Sequence, residues 1–138
     1  VPIDLIVRGF CCLRPGVAGL SESTRVRCVG GRVLEHSRVF WFRNGAKDPI
    51  DGELYIGSAD WMYRNLQNRV EAVTPIEERS LRERLWQTLQ VMLGDQRQAW
   101  DMDGDGNYVQ RSPVDAAVEL GTQRRLMTLA QQRWRVTT

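Results

Sequence analysis

The chain has 138 residues, a formal net charge of +2, 42% hydrophobic and 26% charged residues, which is ordinary globular usage and favours neither a disordered nor a membrane class. No apolar run approaches the ~18 residues that a spanning helix requires, and Val1-Pro2-Ile3-Asp4 carries neither a basic n-region nor a cleavage site. A charge this close to balance also excludes coating of nucleic acid or membranes by bulk charge alone.

Arginine supplies nearly all the positive charge, Lys47 being the single lysine. Its planar fork suits phosphate oxygens, although a GC-rich genome gives the same bias. The three cysteines, with Cys11 and Cys12 adjacent, read as buried thiols of a reducing compartment, so a cytoplasmic location is expected, with membrane association left open. One domain is expected over residues 1–138, and its abrupt start at a strand reads as a domain cut from a longer chain.

Residues 3–7 form a short apolar run that ends at Arg8-Gly9, as a buried strand delivering Arg8 to a sheet edge would. Leu13-Arg14-Pro15-Gly16 is a turn; residues 25–29 alternate like a half-buried strand and stop at Gly30-Gly31. Residues 39–42 are a third strand closed by the reversal signal Asn44-Gly45, residues 53–56 a fourth ending at Gly57-Ser58, and residues 69–73 a fifth. Thr74-Pro75-Ile76-Glu77 reads as a capping box with proline at the first helical position. It predicts a helix to about Leu93, stopped by Gly94, with the stripe Leu81, Leu85, Leu89, Met92 and Leu93. Asp95 to Arg111 reads as irregular. Ser112-Pro113-Val114-Asp115 repeats the start logic for a last helix bearing Ala117, Leu120, Met127 and Ala130. The whole predicts an α/β layered domain: a mixed sheet in the first half with helices packed on it.

The single histidine lies in Glu35-His36-Ser37-Arg38, directly ahead of the third strand. In an extended chain His36 and Arg38 project from one face, which sets an imidazole beside a cation, an arrangement suited to phosphate. Gly57-Ser58-Ala59-Asp60 follows at a strand end, then Arg64-Asn65, then Glu71. Ser58 and Asn65 offer uncharged donors to an anion, and Glu71 could hold the second ring nitrogen of His36 and fix its tautomer. Each piece also has a plainer reading: a surface histidine, a strand-ending turn, a helix cap.

Taken in order, His-x-Arg, Gly-Ser, Asn and Glu resemble the histidine motif of the phospholipase D superfamily, with Arg38 where that superfamily has lysine. Arginine still supplies the cation but cannot act as a proton donor. The superfamily sets two such motifs face to face; this chain holds one. Whole segments sharpen the likeness. Leu5-Ile6-Val7-Arg8-Gly9, Cys12-Leu13-Arg14-Pro15-Gly16, Leu34-Glu35-His36-Ser37-Arg38, Ile56-Gly57-Ser58-Ala59-Asp60-Trp61-Met62, Arg64-Asn65-Leu66 and Arg69-Val70-Glu71 are similar, in order and spacing, to signature stretches of the long, histidine-phosphorylating polyphosphate kinases.

That resemblance implies a C-terminal, phospholipase-D-like catalytic domain. The family moves the terminal phosphate of ATP reversibly onto polyphosphate through a phosphohistidine, with Mg2+. The phosphohistidine and the magnesium ligands are implied to lie in a preceding domain, so no metal ligand is expected here and the fragment alone is expected to be inactive. His36 is implied as catalytic, and Arg8 and His36 as the residues that contact the nucleotide phosphates; on physical grounds Arg38 joins them as an ATP and phosphate ligand, with Ser58, Asn65 and Glu71 as support. The expected partners are ATP or ADP, polyphosphate and the rest of the polypeptide. A homo-oligomer is compatible; nucleic acid and a transmembrane segment are not expected. The alternatives are a phospholipase-D-like phosphodiesterase or nuclease half acting as a homodimer, and a non-enzymatic polyanion-binding module.

Other signals carry less. Asp101-Met102-Asp103-Gly104-Asp105-Gly106 imitates the start of an EF-hand loop, but its twelfth position is Ser112 rather than glutamate, which favours a solvated turn. Trp41 and Trp86 read as packing residues, while Trp61 and Tyr63 flank Gly57-Ser58 and could line a pocket. Arg124, Arg125 and Arg133 read as a solvated face.

Overall fold

The computed structural model describes residues 1–9, 11–115 and 118–137. They fall into two compact units: Val1–Glu35 with Val91–Thr138, and His36–Gln90.

The first unit is built on a four-stranded sheet of order β1-β2-β6-β7, comprising β1 (Ile3–Ile6), β2 (Thr24–Val29), β6 (Ala99–Met102) and β7 (Tyr108–Gln110). β1 and β2 are parallel, with Ile3 opposite Thr24, whereas β2, β6 and β7 pair antiparallel. The loop between β1 and β2 is tied down by Ser21, whose hydroxyl donates to the Arg14 carbonyl and accepts the Val17 N–H at 3.2 Å. On one face Val29, Met92 and Ala99 are buried together with Ile6 and Leu126 against them. Removing such side chains from water contributes about 1.5–3 kcal/mol for each large one. The same sheet carries a cross-strand charge bridge. Asp101 accepts Arg27 Nε–H at 2.7 Å through one oxygen and Arg111 Nε–H at 2.8 Å through the other.

The second unit holds an antiparallel sheet of order β3-β4-β5, comprising β3 (Val39–Phe42), β4 (Glu53–Gly57) and β5 (Val73–Pro75). α1 (Tyr63–Asn68) lies between β4 and β5, and α2 (Arg79–Leu93) follows β5. After β3 the chain reverses through Asn44 and Gly45, both at positive φ (46° and 76°), the backbone geometry that an Asn-Gly pair tolerates. A short 3-10 turn, Pro49–Asp51, then leads into β4. Gly52 is obligatory there: a Cβ would stand 2.7 Å from the Phe42 carbonyl oxygen. Trp41 donates its Nε1–H to the Pro49 carbonyl at 2.9 Å and packs on Trp86 of α2 with ring centroids 4.5 Å apart. Both tryptophans therefore do the packing expected of them.

The α/β class with a mixed sheet is what is found, but that sheet takes β6 and β7 from the second half of the chain. Residues 95–111 are therefore not irregular. Their strands are three or four residues long and pair with distant partners, so no local periodicity announces them. The fifth strand is Val73–Pro75 rather than residues 69–73, because the Glu71 side chain and the Ala72 backbone bond to Ser58 instead. The first long helix starts at Arg79, not at Thr74-Pro75. Those two residues extend the sheet, and Ile76 N–H continues the ladder to the Leu54 carbonyl at 2.8 Å. Glu78 is the local cap, accepting the Ser80 N–H at 3.1 Å. α2 does end at Leu93, and of its stripe Met92 is buried while Leu81 stays half exposed.

The last helix, α3 (Thr122–Thr137), begins ten residues after the Ser112 start signal. Ser112 through Asp115 make no helix. Gly121, at φ +71°, directly precedes α3, and a buried carboxylate, Asp95, receives the Thr122 N–H. Ala117 lies outside the described residues, Leu120 precedes the helix, and Met127 is 62% exposed, so Leu126 rather than Met127 faces the core. The cysteines are free, but none is buried: Cys12 is exposed, because it sits in the β1–β2 loop.

Candidate phosphate-handling site

In the first unit, Arg8 is half-buried just past β1. The second unit holds His36, Arg38, Ser58, Asn65 and Glu71. His36 is exposed, so its ring is not sealed in hydrocarbon.

Within the second unit the structure brings three of these residues together. Ser58, just past the end of β4, donates its hydroxyl to Glu71 Oε2, and Asn65 of α1 donates its Nδ2–H to Glu71 Oε1 at 2.9 Å. Ser58 also pairs with residue 72 through the backbone. Its N–H reaches the Ala72 carbonyl at 3.0 Å, and its Oγ accepts the Ala72 N–H at 3.0 Å. The segment after α1 is thereby laced to the strand end by side-chain as well as main-chain bonds. The Ser58 hydroxyl and then the Asn65 amide hold the Glu71 carboxyl below its ordinary range, against a smaller effect of burial, and Arg69 and Arg38 act in the same direction. Glu71 is thus a fixed anion near neutral pH. Asn65 is buried, and its Oδ1 has no hydrogen-bond partner among the described residues, an acceptor that a donor from outside this cluster would satisfy.

Arg38 extends the β3 ladder by one residue, its carbonyl accepting the Gly57 N–H at 2.9 Å. Its side chain is anchored by Asp60, which accepts Nε–H at 3.0 Å, both side chains being half-buried. That bond raises the guanidinium further above its already high ordinary value. It engages the stem-side nitrogen and leaves the terminal Nη edge, the fork that grips phosphate, outside the contact. Asp60 is a residue that sequence reasoning missed. It stood within Gly57-Ser58-Ala59-Asp60, but its partner is 22 positions away, beyond any local pattern.

An α/β unit with a strand-end Gly-Ser, a supporting asparagine and glutamate, and a His-x-Arg segment belongs to the phospholipase-D-like class of phosphate-handling folds. Comparison with known proteins makes this specific. Residues 1–123 match the model of the polyphosphate kinase C-terminal domain 2. A polyphosphate kinase of Synechocystis sp. is 58% identical over 114 residues, 83% of this chain and 15% of that protein. One of Pseudomonas aeruginosa is 46% identical over 127 residues, 92% of this chain and 18% of that protein. The crystal structure of polyphosphate kinase from Porphyromonas gingivalis superposes with a TM-score of 0.81 at 36% identity, covering 100% of this chain and 20% of that one. The chain belongs to the polyphosphate kinase family. It spans less than a fifth of the length of these curated relatives.

Proposed function

We propose that residues 1–138 are a single C-terminal catalytic domain of a polyphosphate kinase, which handles the phosphates of ATP and of polyphosphate while a histidine upstream in a longer polypeptide carries the phosphoryl group. The family match across residues 1–123 carries this reading. In the forward direction the P–O bond from the γ-phosphorus to ADP breaks as a P–N bond to that histidine forms. The P–N bond then breaks as a terminal oxygen of polyphosphate attacks, and the reverse reaction retraces both steps.

Phosphoryl transfer asks mainly for positioning and for positive charge around the equatorial oxygens. Arg8 and Arg38 supply that charge, Arg38 with its fork set by Asp60. His36, exposed and two residues from Arg38, donates a proton or hydrogen bond to the leaving oxygen, a role typically contributing ~10²–10⁴-fold. Glu71, kept ionised by Ser58 and Asn65, offers a fixed acceptor that orients an imidazole N–H.

Among the described residues no group of three or more His, Cys, Asp or Glu side chains is arranged to hold a metal ion. The family resemblance has Mg2+ enter with the nucleotide, on protein ligands in the rest of the polypeptide. The partners are ATP or ADP, polyphosphate and the remaining domains of the same chain, and a homo-oligomer is compatible. A cytoplasmic location supplies the ATP, and no helix among the described residues is long and apolar enough to cross a membrane.

The test is His36→Ala in the full-length protein. ATP-dependent polyphosphate synthesis falls by ~10²-fold or more, while the melting temperature stays close to unchanged, as for other exposed substitutions. A fully active variant removes His36 from the mechanism.

A further inference from the structure

In the second unit the dipeptide Asp60-Trp61 lies across β3. Asp60 binds Arg38, and the next side chain, Trp61, stacks on Phe40 with ring centroids 5.3 Å apart and planes inclined by 23°. Arg38 and Phe40 are two residues apart on an extended ladder, so they project from the same face. Phe40 is itself backed by the β4 end: a Cβ at Gly57 would stand 3.1 Å from its ring. One face of the indole is thus set against a fixed phenyl ring, yet Trp61 remains 72% exposed. The result is a rigid aromatic plane, open on its other side, next to an anchored guanidinium.

We infer that the open face of Trp61 is the stacking platform for the purine base of the nucleotide, a role that rests on the kinase reading above. Of the two substrates of that reaction, polyphosphate has no ring to offer an indole. A nucleotide joins a flat π-surface to an anionic chain, which matches an aromatic plane beside a phosphate-binding fork. Stacking asks nothing of the base edges, so Trp61 grips any purine and leaves discrimination to other groups.

The test is steady-state kinetics of the full-length protein in the polyphosphate-to-ADP direction, with the two substrates varied separately. Base–aromatic stacking is worth about 1–3 kcal/mol, so Trp61→Ala raises KM for ADP about 5- to 150-fold. KM for polyphosphate and the melting temperature stay near wild type, and Trp61→Phe recovers most of the ADP affinity. An unchanged KM for ADP overturns the inference. So does a loss that strikes both substrates and the melting temperature together, which marks Trp61 as a packing residue at an interdomain surface. If the wild-type protein moves no phosphate between polyphosphate and ADP, the kinase reading itself falls and the platform with it.

Discussion

Asp95→Asn probes how the first unit is held together. Asp95 is 2% exposed and lies between the end of α2 and the start of α3. Its Oδ1 accepts the N–H groups of Arg97 and Gln98, both at 2.7 Å, and its Oδ2 accepts the N–H and the hydroxyl of Thr122, both at 2.6 Å. Burial pushes the carboxyl upward, but the Gln98 N–H, the Thr122 hydroxyl and N–H, and the Arg97 N–H outweigh it, so the net direction is downward. An asparagine amide keeps one acceptor and turns an NH2 toward one of the pairs. If it faces Thr122, the hydroxyl can reverse and accept, but the Thr122 N–H loses its partner. A buried orphan donor costs about 1–3 kcal/mol, and hydrogen bonds to a charged group exceed neutral ones by about 1 kcal/mol. The sum is about 3 kcal/mol, or about 10 °C in melting temperature for a chain of this size. The assay is thermal unfolding of the chain by circular dichroism across pH. Because the folded value lies below the ordinary 3.8, this stability is fully present above 3.8 and is lost as pH falls through the folded value. The gap between wild type and Asp95→Asn is therefore widest at neutral pH and narrows in acid. Equal melting temperatures at pH 7 would refute the reasoning.

The 138-residue chain, expressed alone, folds with a cooperative melt but makes no polyphosphate from ATP; synthesis by the fragment would show that the upstream histidine is dispensable. Ser58→Ala removes the largest influence on Glu71, so its carboxyl titrates closer to the ordinary 4.5, read from its carbon chemical shift against pH. The stability that Glu71 contributes is present above 4.5 and is lost as pH falls through its lowered folded value; in Ser58→Ala the loss sets in at higher pH. An unmoved titration would mean that the hydroxyl does not hold the carboxylate. In the EF-hand-like loop the Asp103 carboxylate already accepts the N–H groups of Asp105 and Asn107 at 2.9 Å, so calcium leaves Trp100 fluorescence flat. A saturable change would contradict this.

Legibility followed the range of the interactions. β3 and β4 were readable because alternation and glycine punctuation are local, and so was the end of α2 at Leu93. The Ser58–Asn65–Glu71 cluster was foreshadowed as separate supports of an anion site. The bonds that join them span 13 and 6 positions, and Glu71 binds the other two supports directly. β6 and β7 escaped notice because Asp101, a charge in mid-strand, is tolerable only through Arg27 and Arg111 on neighbouring segments. The starts of α2 and α3 were misplaced for one reason. Thr-Pro and Ser-Pro pairs signal helix entry locally, whereas the sheet recruited Thr74 and Pro75, and Asp95, 27 residues upstream, caps Thr122. Asp60 and the Phe40–Trp61 stack were equally invisible, since both depend on which residues of β3 face the turn after β4.

The most direct measurement is rapid-quench formation of phosphoenzyme from γ-labelled ATP in the full-length protein, wild type against His36→Ala, with the label mapped by proteolysis. The account predicts labelling slowed by ~10²-fold or more in the variant, and in wild type a phosphohistidine outside residues 1–138. Labelling of the variant at the wild-type rate, or label recovered on His36 itself, would contradict it.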